Sequence, residues 1–72
     1  MFAIDYTDAR WIQYRRDLRL IQQEHGSRIT PDLSVRIGRV GDRAEACVRK
    51  DGNMDILRQA IIVIRTVIQQ NS

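Results

Sequence analysis

The mostly apolar residues near the start of the chain recur with a helical spacing. They are Trp11, Tyr14, Leu18, Ile21 and His25. Spacings of three and four place these side chains on one face of a helix. The segment from Asp5 to Asp8 resembles a capping box, and Gly26 is typical of a helix end. The pattern predicts a first helix from about Asp5 to Gly26, with Leu20 as an apolar residue off the stripe.

The middle of the chain alternates between apolar and polar residues on both sides of Gly41-Asp42. This dipeptide is typical of a two-residue type II′ turn, which has glycine first. With that turn, one face of a hairpin carries Leu33, Val35, Ile37, Ala44, Ala46 and Val48. A slip by one residue would move all of them to the opposite face. The pattern therefore predicts an antiparallel β-hairpin from Leu33 to Lys50, entered after Pro31.

The last segment predicts a second helix, from Asn53 as its N-cap to about Gln70. Its core stripe consists of Leu57, Ala60, Ile61, Ile64, Val67 and Ile68. Ile56 and Val63 widen this stripe, and Ile62 lies outside it. The β-branched residues would also suit a strand, but the segment from 54 to 70 contains neither glycine nor proline, which favours a helix.

These elements predict one α+β domain over residues 1–72 with the order α-β-β-α. Both helices would pack on one face of a two-stranded antiparallel sheet. Such a sheet is marginal alone and has two open edges. Pairing of edges between two copies would extend the sheet and cover the wide apolar face of the second helix. We therefore expect a homodimer, with Ile56, Ile62 and Val63 at the dimer interface.

Length and cysteine content support the expectation of a partner. A chain of 72 residues buries only ~60% of the surface that it exposes when unfolded. One cysteine cannot form an internal disulfide, and His25 and Cys47 alone do not make a zinc site. No metal and no cofactor is expected. Self-association is then the natural source of additional core.

The same features predict where the protein works. A single cysteine suits a reducing compartment, and the N-terminus lacks the basic and apolar regions of a signal peptide. The longest apolar run, from Ala60 to Ile64, is far shorter than the ~18 residues that a membrane span needs. We expect a soluble protein of the cytoplasm, or of the host cytoplasm if a phage encodes it.

Catalysis is not expected. A cysteine nucleophile needs a nearby base, usually histidine. Cys47 would lie on the outer face of the hairpin, whereas His25 ends a helix that packs on the opposite face. Asp5 and Asp8 are typical of a helix start rather than of a pair of catalytic carboxylates. We predict that the protein is not an enzyme.

The charge pattern suggests two basic surfaces. The net charge is +3, and residues 27–52 carry most of the surplus. The first surface, on the outer face of the hairpin, contains Arg36, Arg43 and Arg49. The second, on the first helix around Ile12, contains Arg15, Arg16 and Arg19. Arginine binds carboxylates and phosphates in a bidentate manner, so both surfaces are candidate partner-binding sites.

Two functions remain open beside that of a purely structural oligomer. The first is a homodimeric accessory factor, inhibitory or regulatory, that occludes a protein partner, and the arginine-rich faces suit an acidic one. Small proteins of this kind are common among phages and mobile elements. This is a general association, and the residues of this chain do not themselves show such an origin. The alternative is nucleic-acid binding by the arginines of the hairpin, as in β-ribbon repressors. The hairpin has no aromatic residues for base stacking, which makes this alternative weaker.

Overall fold

A computed structural model describes residues 1–71 of the chain, and it has three α-helices and no strand in that range. Helix α1 spans Ala9–His25, α2 spans Pro31–Asp51 and α3 spans Ile56–Gln70. A 3-10 turn, Gly26–Arg28, follows α1. The predicted α+β fold is therefore wrong: the protein is a small all-helical bundle. The open sheet edges that motivated the homodimer are absent from residues 1–71.

Helix α2 replaces the predicted hairpin, and its two ends show why. The Thr30 hydroxyl accepts a hydrogen bond from the Leu33 N–H at 3.2 Å, which caps the first turn. Pro31 is the first residue of the helix, a position whose N–H would have no partner within the helix, so the missing N–H of proline costs nothing there. At the other end Gly52 adopts a left-handed conformation with φ of 69°, and its N–H donates to the Val48 carbonyl.

The apolar residues of α2 also fit a helix. The side facing α3 contains Leu33, Ile37, Val40, Ala44 and Val48. Their spacings of three and four extend without interruption through the predicted turn at Gly41-Asp42. The residues that fit two short strands thus fit one long helix as well. Burial of this continuous face then favours the helix over the hairpin.

The two glycines inside α2 have different surroundings. A methyl group at Gly38 would meet no atom within 4 Å. At Gly41, which is buried, it would lie 2.9 Å from the Tyr14 hydroxyl. Gly41 therefore lets the Tyr14 side chain of α1 reach α2.

The two outer helices are confirmed, with corrections at their starts. Helix α1 begins at Ala9 because the Asp8 carboxylate, and not that of Asp5, accepts the Arg10 N–H at 2.8 Å. Helix α3 begins at Ile56. The Asn53 side chain accepts the Asp55 N–H at 3.0 Å, so it fixes the preceding turn instead of capping the helix.

Helix α3 lies at the centre of the molecule. It packs on both α1 and α2, whose own Cα atoms do not approach within 8 Å of each other. Its buried residues are Leu57, Ala60, Ile61, Ile64 and Ile68. On the flank facing α1, Arg65 forms an ion pair with Glu24 at 3.3 Å. The core is therefore organised around the last helix in the chain.

The segment before α1 folds back along the end of α2. The Phe2 N–H donates to the Arg49 carbonyl at 2.6 Å, and the Phe2 ring lies against Gly52. Ile4 is buried. With this segment the molecule measures 36 × 18 × 16 Å, an elongated shape that leaves long helix faces accessible.

Candidate interaction surfaces

The arginines predicted to share a hairpin face are divided in α2. Arg36 and Arg43 are seven residues apart and lie on one side of the helix. Arg39 and Lys50 lie on that side too, and we call these four residues the basic row. Arg49 lies on another side, beside Met1. The structure thus brings together two of the three predicted arginines and adds two cations.

An apolar groove of about 240 Å³ runs between α2 and α3 next to the basic row. Its apolar lining consists of Val40, Ala44, Ile56, Ala60 and Val63. Arg43 and the exposed Cys47 also line it, on the α2 side. Val63 is 45% exposed although its position on α3 faces the groove. We call this surface the α2–α3 groove.

The three residues predicted for a dimer interface do not share one surface. Ile56 and Val63 line the α2–α3 groove. Ile62, which is 54% exposed, lies on the other flank of α3, one turn from Arg58 and Arg65. A partner bound in the groove would therefore cover Ile56 and Val63 but not Ile62.

The arginines predicted on the first helix do lie together. Arg15, Arg16 and Arg19 line a shallow cavity of about 260 Å³ with Ile12, and Tyr6 and Trp11 complete it. We call these six residues the aromatic–arginine face. The sequence pattern placed Trp11 on the apolar stripe of the first helix and gave Tyr6 no role, because Tyr6 precedes the helical pattern.

A cleft of about 510 Å³ lies between the first halves of α1 and α3. Its charges are largely balanced. Arg10 bonds to Asp8 at 3.0 Å and to Asp55 at 3.3 Å, and these bonds raise the pKa of Arg10. Asp17 accepts from the Gln13 amide at 2.9 Å. The cleft therefore offers a ligand less unpaired charge than the basic row or the aromatic–arginine face does.

The residues with reactive side chains are dispersed. Cys47 lines the α2–α3 groove, and His25 ends α1 with its Nε2 3.6 Å from the Glu24 carboxylate. No group of three or more histidine, cysteine or acidic residues within 1–71 could hold a metal ion. The prediction that the protein is not an enzyme has no direct test in these observations.

Besides Arg10, three side chains have shifted pKa values. Burial raises the pKa of Tyr14, and the negative charges of Glu45 and Asp42 on α2 add to this shift. The pKa of Asp8 is lowered by hydrogen bonds from the Arg10 side chain and N–H. That of Asp5 is lowered by hydrogen bonds from the Thr7 hydroxyl and N–H. These carboxylates hold the segment before α1 in place.

Comparison with known proteins adds no family to this picture. No protein-family model matches the chain, no curated protein matches it, and no solved structure matches it. Within residues 1–71 no helix is both long and apolar enough to cross a membrane. The function must therefore be inferred from the surfaces described above.

Proposed function

We propose that the protein is a binding module that occludes a segment of a protein partner, and that the α2–α3 groove receives an acidic amphipathic helix of that partner. The groove with the basic row along one border is the observation that carries this proposal. An amphipathic helix commonly binds by placing its apolar face in such a groove. The protein acts by covering the partner and not by chemistry.

The groove offers apolar surface that a partner would remove from water. Val63 is 45% exposed, and Val40 and Ile56 are only partly buried. Burial of apolar surface stabilises a complex by about 25 cal/mol per Å² before the costs of association. The centre of the groove would therefore supply affinity, and Val63 is its most accessible apolar residue.

The charge around the groove indicates the chemistry of the partner. Arg36, Arg39, Arg43 and Lys50 have no hydrogen bond or ion pair from their side chains to any of residues 1–71. The opposite border is formed by α3, where Gln59 is polar but uncharged. A helix with acidic residues along one edge would match this asymmetry, and such pairs favour the correct orientation and fast association.

The predicted homodimer is the second candidate for covering this groove. The chain exposes 5286 Å², whereas a monomer of 8.4 kDa is expected to expose about 4,600 Å². The excess approaches the ~800 Å² that each partner buries in a standard interface. A second copy could cover this excess surface, but the basic row favours an acidic partner.

A cytoplasmic location remains a prediction.

A labelled synthetic helix tests the proposal. The peptide carries leucines on one face and glutamates along one edge, and its control carries lysines instead of the glutamates. We expect fluorescence anisotropy to show binding of the acidic peptide only. Val63→Glu should weaken binding by about 30-fold, as expected for a residue at the centre of an interface. Ile62→Glu is the matched control, since Ile62 lies outside the groove, and it should leave binding unchanged.

Cys47 gives a second readout of the same site. Because this thiol lines the groove, a bound helix should slow its reaction with maleimide, and Val63→Glu should abolish the protection. Light scattering supplies the competing outcome. A mass of two chains that Val63→Glu reduces to one, without binding of the acidic peptide, would assign the groove to a second copy and overturn the proposed occupant.

A further inference from the structure

The aromatic–arginine face combines a cluster of unpaired guanidinium groups with aromatic rings, and the lining of the α2–α3 groove contains no aromatic ring. Its cavity of about 260 Å³ is formed by Tyr6, Trp11 and Ile12 together with three arginines of α1. Its arginines lie on the side of α1 away from the buried Tyr14 and Ile21. A ligand here would not compete with a helix in the groove.

The aromatic part of this face is fixed before any ligand arrives. The Asp5 carboxylate accepts from the Thr7 N–H at 2.9 Å and from the Thr7 hydroxyl at 2.6 Å, which locks the turn that carries Tyr6. The Tyr6 ring packs edge-to-face on Trp11, with centroids 5.1 Å apart and an interplanar angle of 72°. Tyr6 nevertheless remains 61% exposed, so its ring can stack on a ligand.

The cationic part is unpaired. Arg10 and Arg65 form ion pairs with acids. By contrast, the side chains of Arg15, Arg16 and Arg19 make no ion pair or hydrogen bond with any residue from 1 to 71. All three lie within about one turn of α1. Concentrated positive charge without internal partners is suited to an anionic ligand, and guanidinium groups bind phosphates in a bidentate manner.

We propose that the aromatic–arginine face binds single-stranded nucleic acid, with the three arginines on successive phosphates and a base stacked on Tyr6. Aromatic rings next to a basic surface are the usual means of binding single strands without sequence preference. Bases inside a duplex are already stacked and cannot reach Tyr6. An acidic peptide would use the arginines but not the ring. An anionic membrane would require a wider apolar face than Ile12 and Tyr6 provide.

Salt dependence measures the phosphate contacts directly. For single strands the logarithm of affinity falls with the logarithm of salt with a slope of about −0.7 per neutralised phosphate. Three contacts give a slope near −2, or a loss of about 20-fold between about 50 and 200 mM salt. The probe is a labelled oligothymidylate of about 12 nucleotides, followed by anisotropy. A duplex of equal length should bind more weakly.

Two triple reversals localise the binding. Reversal of Arg15, Arg16 and Arg19 to glutamate should abolish binding of the oligonucleotide. Reversal of Arg36, Arg39 and Arg43 to glutamate changes the net charge equally, but on α2, and should retain most of the affinity at moderate salt. Circular dichroism checks that both variants are helical. Equal losses of affinity in the two variants would mean that binding depends only on net charge, and this would overturn the proposal.

Tyr6 tests the stacking. Tyr6→Ala should weaken binding by at least about fivefold, the lower range for one base–aromatic stack, whereas Tyr6→Phe should bind normally. The fluorescence of Trp11, the only tryptophan, should change on binding because Tyr6 contacts it. Unchanged affinity in Tyr6→Ala would overturn the stacking. Binding to polyglutamate or to phosphatidylserine vesicles, without binding to the oligonucleotide, would assign the face to a different ligand.

Discussion

Helices α2 and α3 are in contact, yet different features of the sequence determine them. Helix α3 has no glycine, few charges and a broad apolar stripe, and it is covered from two sides by α1 and α2. Helix α2 contains Gly38 and Gly41, has many charges and packs along one line on α3. The comparison teaches that the residues of α3 favour a buried helix along its whole length. The stability of α2 depends instead on its capped ends and on its packing against α3 alone.

The largest difference should appear when a core leucine is shortened in each helix. Leu57 of α3 is 1% exposed and Leu33 of α2 is 5% exposed. Leu57→Ala should lower the free energy of unfolding by about 2–5 kcal/mol, as expected for a buried leucine. Leu33→Ala should cost less, because it lies in the first turn of α2. Urea denaturation measures both, and equal losses would contradict the comparison.

The end of α2 provides the next test. Gly52 has φ of 69°, and a methyl group there would lie 3.0 Å from the Phe2 ring. Gly52→Ala should cost about 1–2 kcal/mol for the left-handed conformation, and more if the ring cannot move. Thermal unfolding measures this loss. A neutral result would mean that α2 does not depend on this cap.

The glycines within α2 discriminate directly between a helix and a hairpin. Gly38→Ala should stabilise the protein by about 0.5–1 kcal/mol, because alanine is the better helix former and nothing obstructs the new methyl group. Gly41→Ala should lose this gain, since its methyl group would meet the Tyr14 hydroxyl at 2.9 Å. A hairpin would give the same order but a much larger loss at Gly41, because that glycine would be the first residue of the type II′ turn.

The smallest expected effect concerns Tyr14, whose side chain reaches from α1 to α2. It should appear at alkaline pH. The pKa of Tyr14 is raised by burial and by Glu45 and Asp42, so the folded state holds this proton more tightly than the unfolded state does. The stabilisation is complete below the unfolded pKa of about 10 and is lost as pH rises through the folded pKa. Denaturation from neutral to alkaline pH should show this loss, and Tyr14→Phe should reduce it.

The outer helices could be predicted from the sequence because each has one uninterrupted helical stripe. The middle segment could not, because its apolar residues satisfy two periods. Leu33, Ile37, Ala44 and Val48 fit both the hairpin and the helix, and Gly41-Asp42 is a good turn. The signals that favoured the helix were at its ends, in Thr30-Pro31 and in Gly52. The decisive contribution, burial on α3, is tertiary and does not appear in local propensity.

The candidate surfaces were predictable to the same extent as the helices that carry them. The grouping of Arg15, Arg16 and Arg19 followed from the period of α1 and is observed. The grouping of Arg36, Arg43 and Arg49 followed from a strand register, and the helix separates Arg49 from the other two. The place of Tyr6 depends on a turn fixed by Asp5, and no periodic pattern indicates such a turn.

The central position of α3 has a consequence for the order of synthesis. A ribosome produces α1 and α2 first, yet no Cα atoms of these two helices lie within 8 Å of each other, and both helices pack on residues that are made afterwards. Helices in proteins owe most of their stability to tertiary packing of their apolar face. Neither can be stably ordered on the nascent chain until α3 has left the exit tunnel. Folding is thus delayed until α3 has been made, and during that delay the apolar face of α2 is open to chaperones.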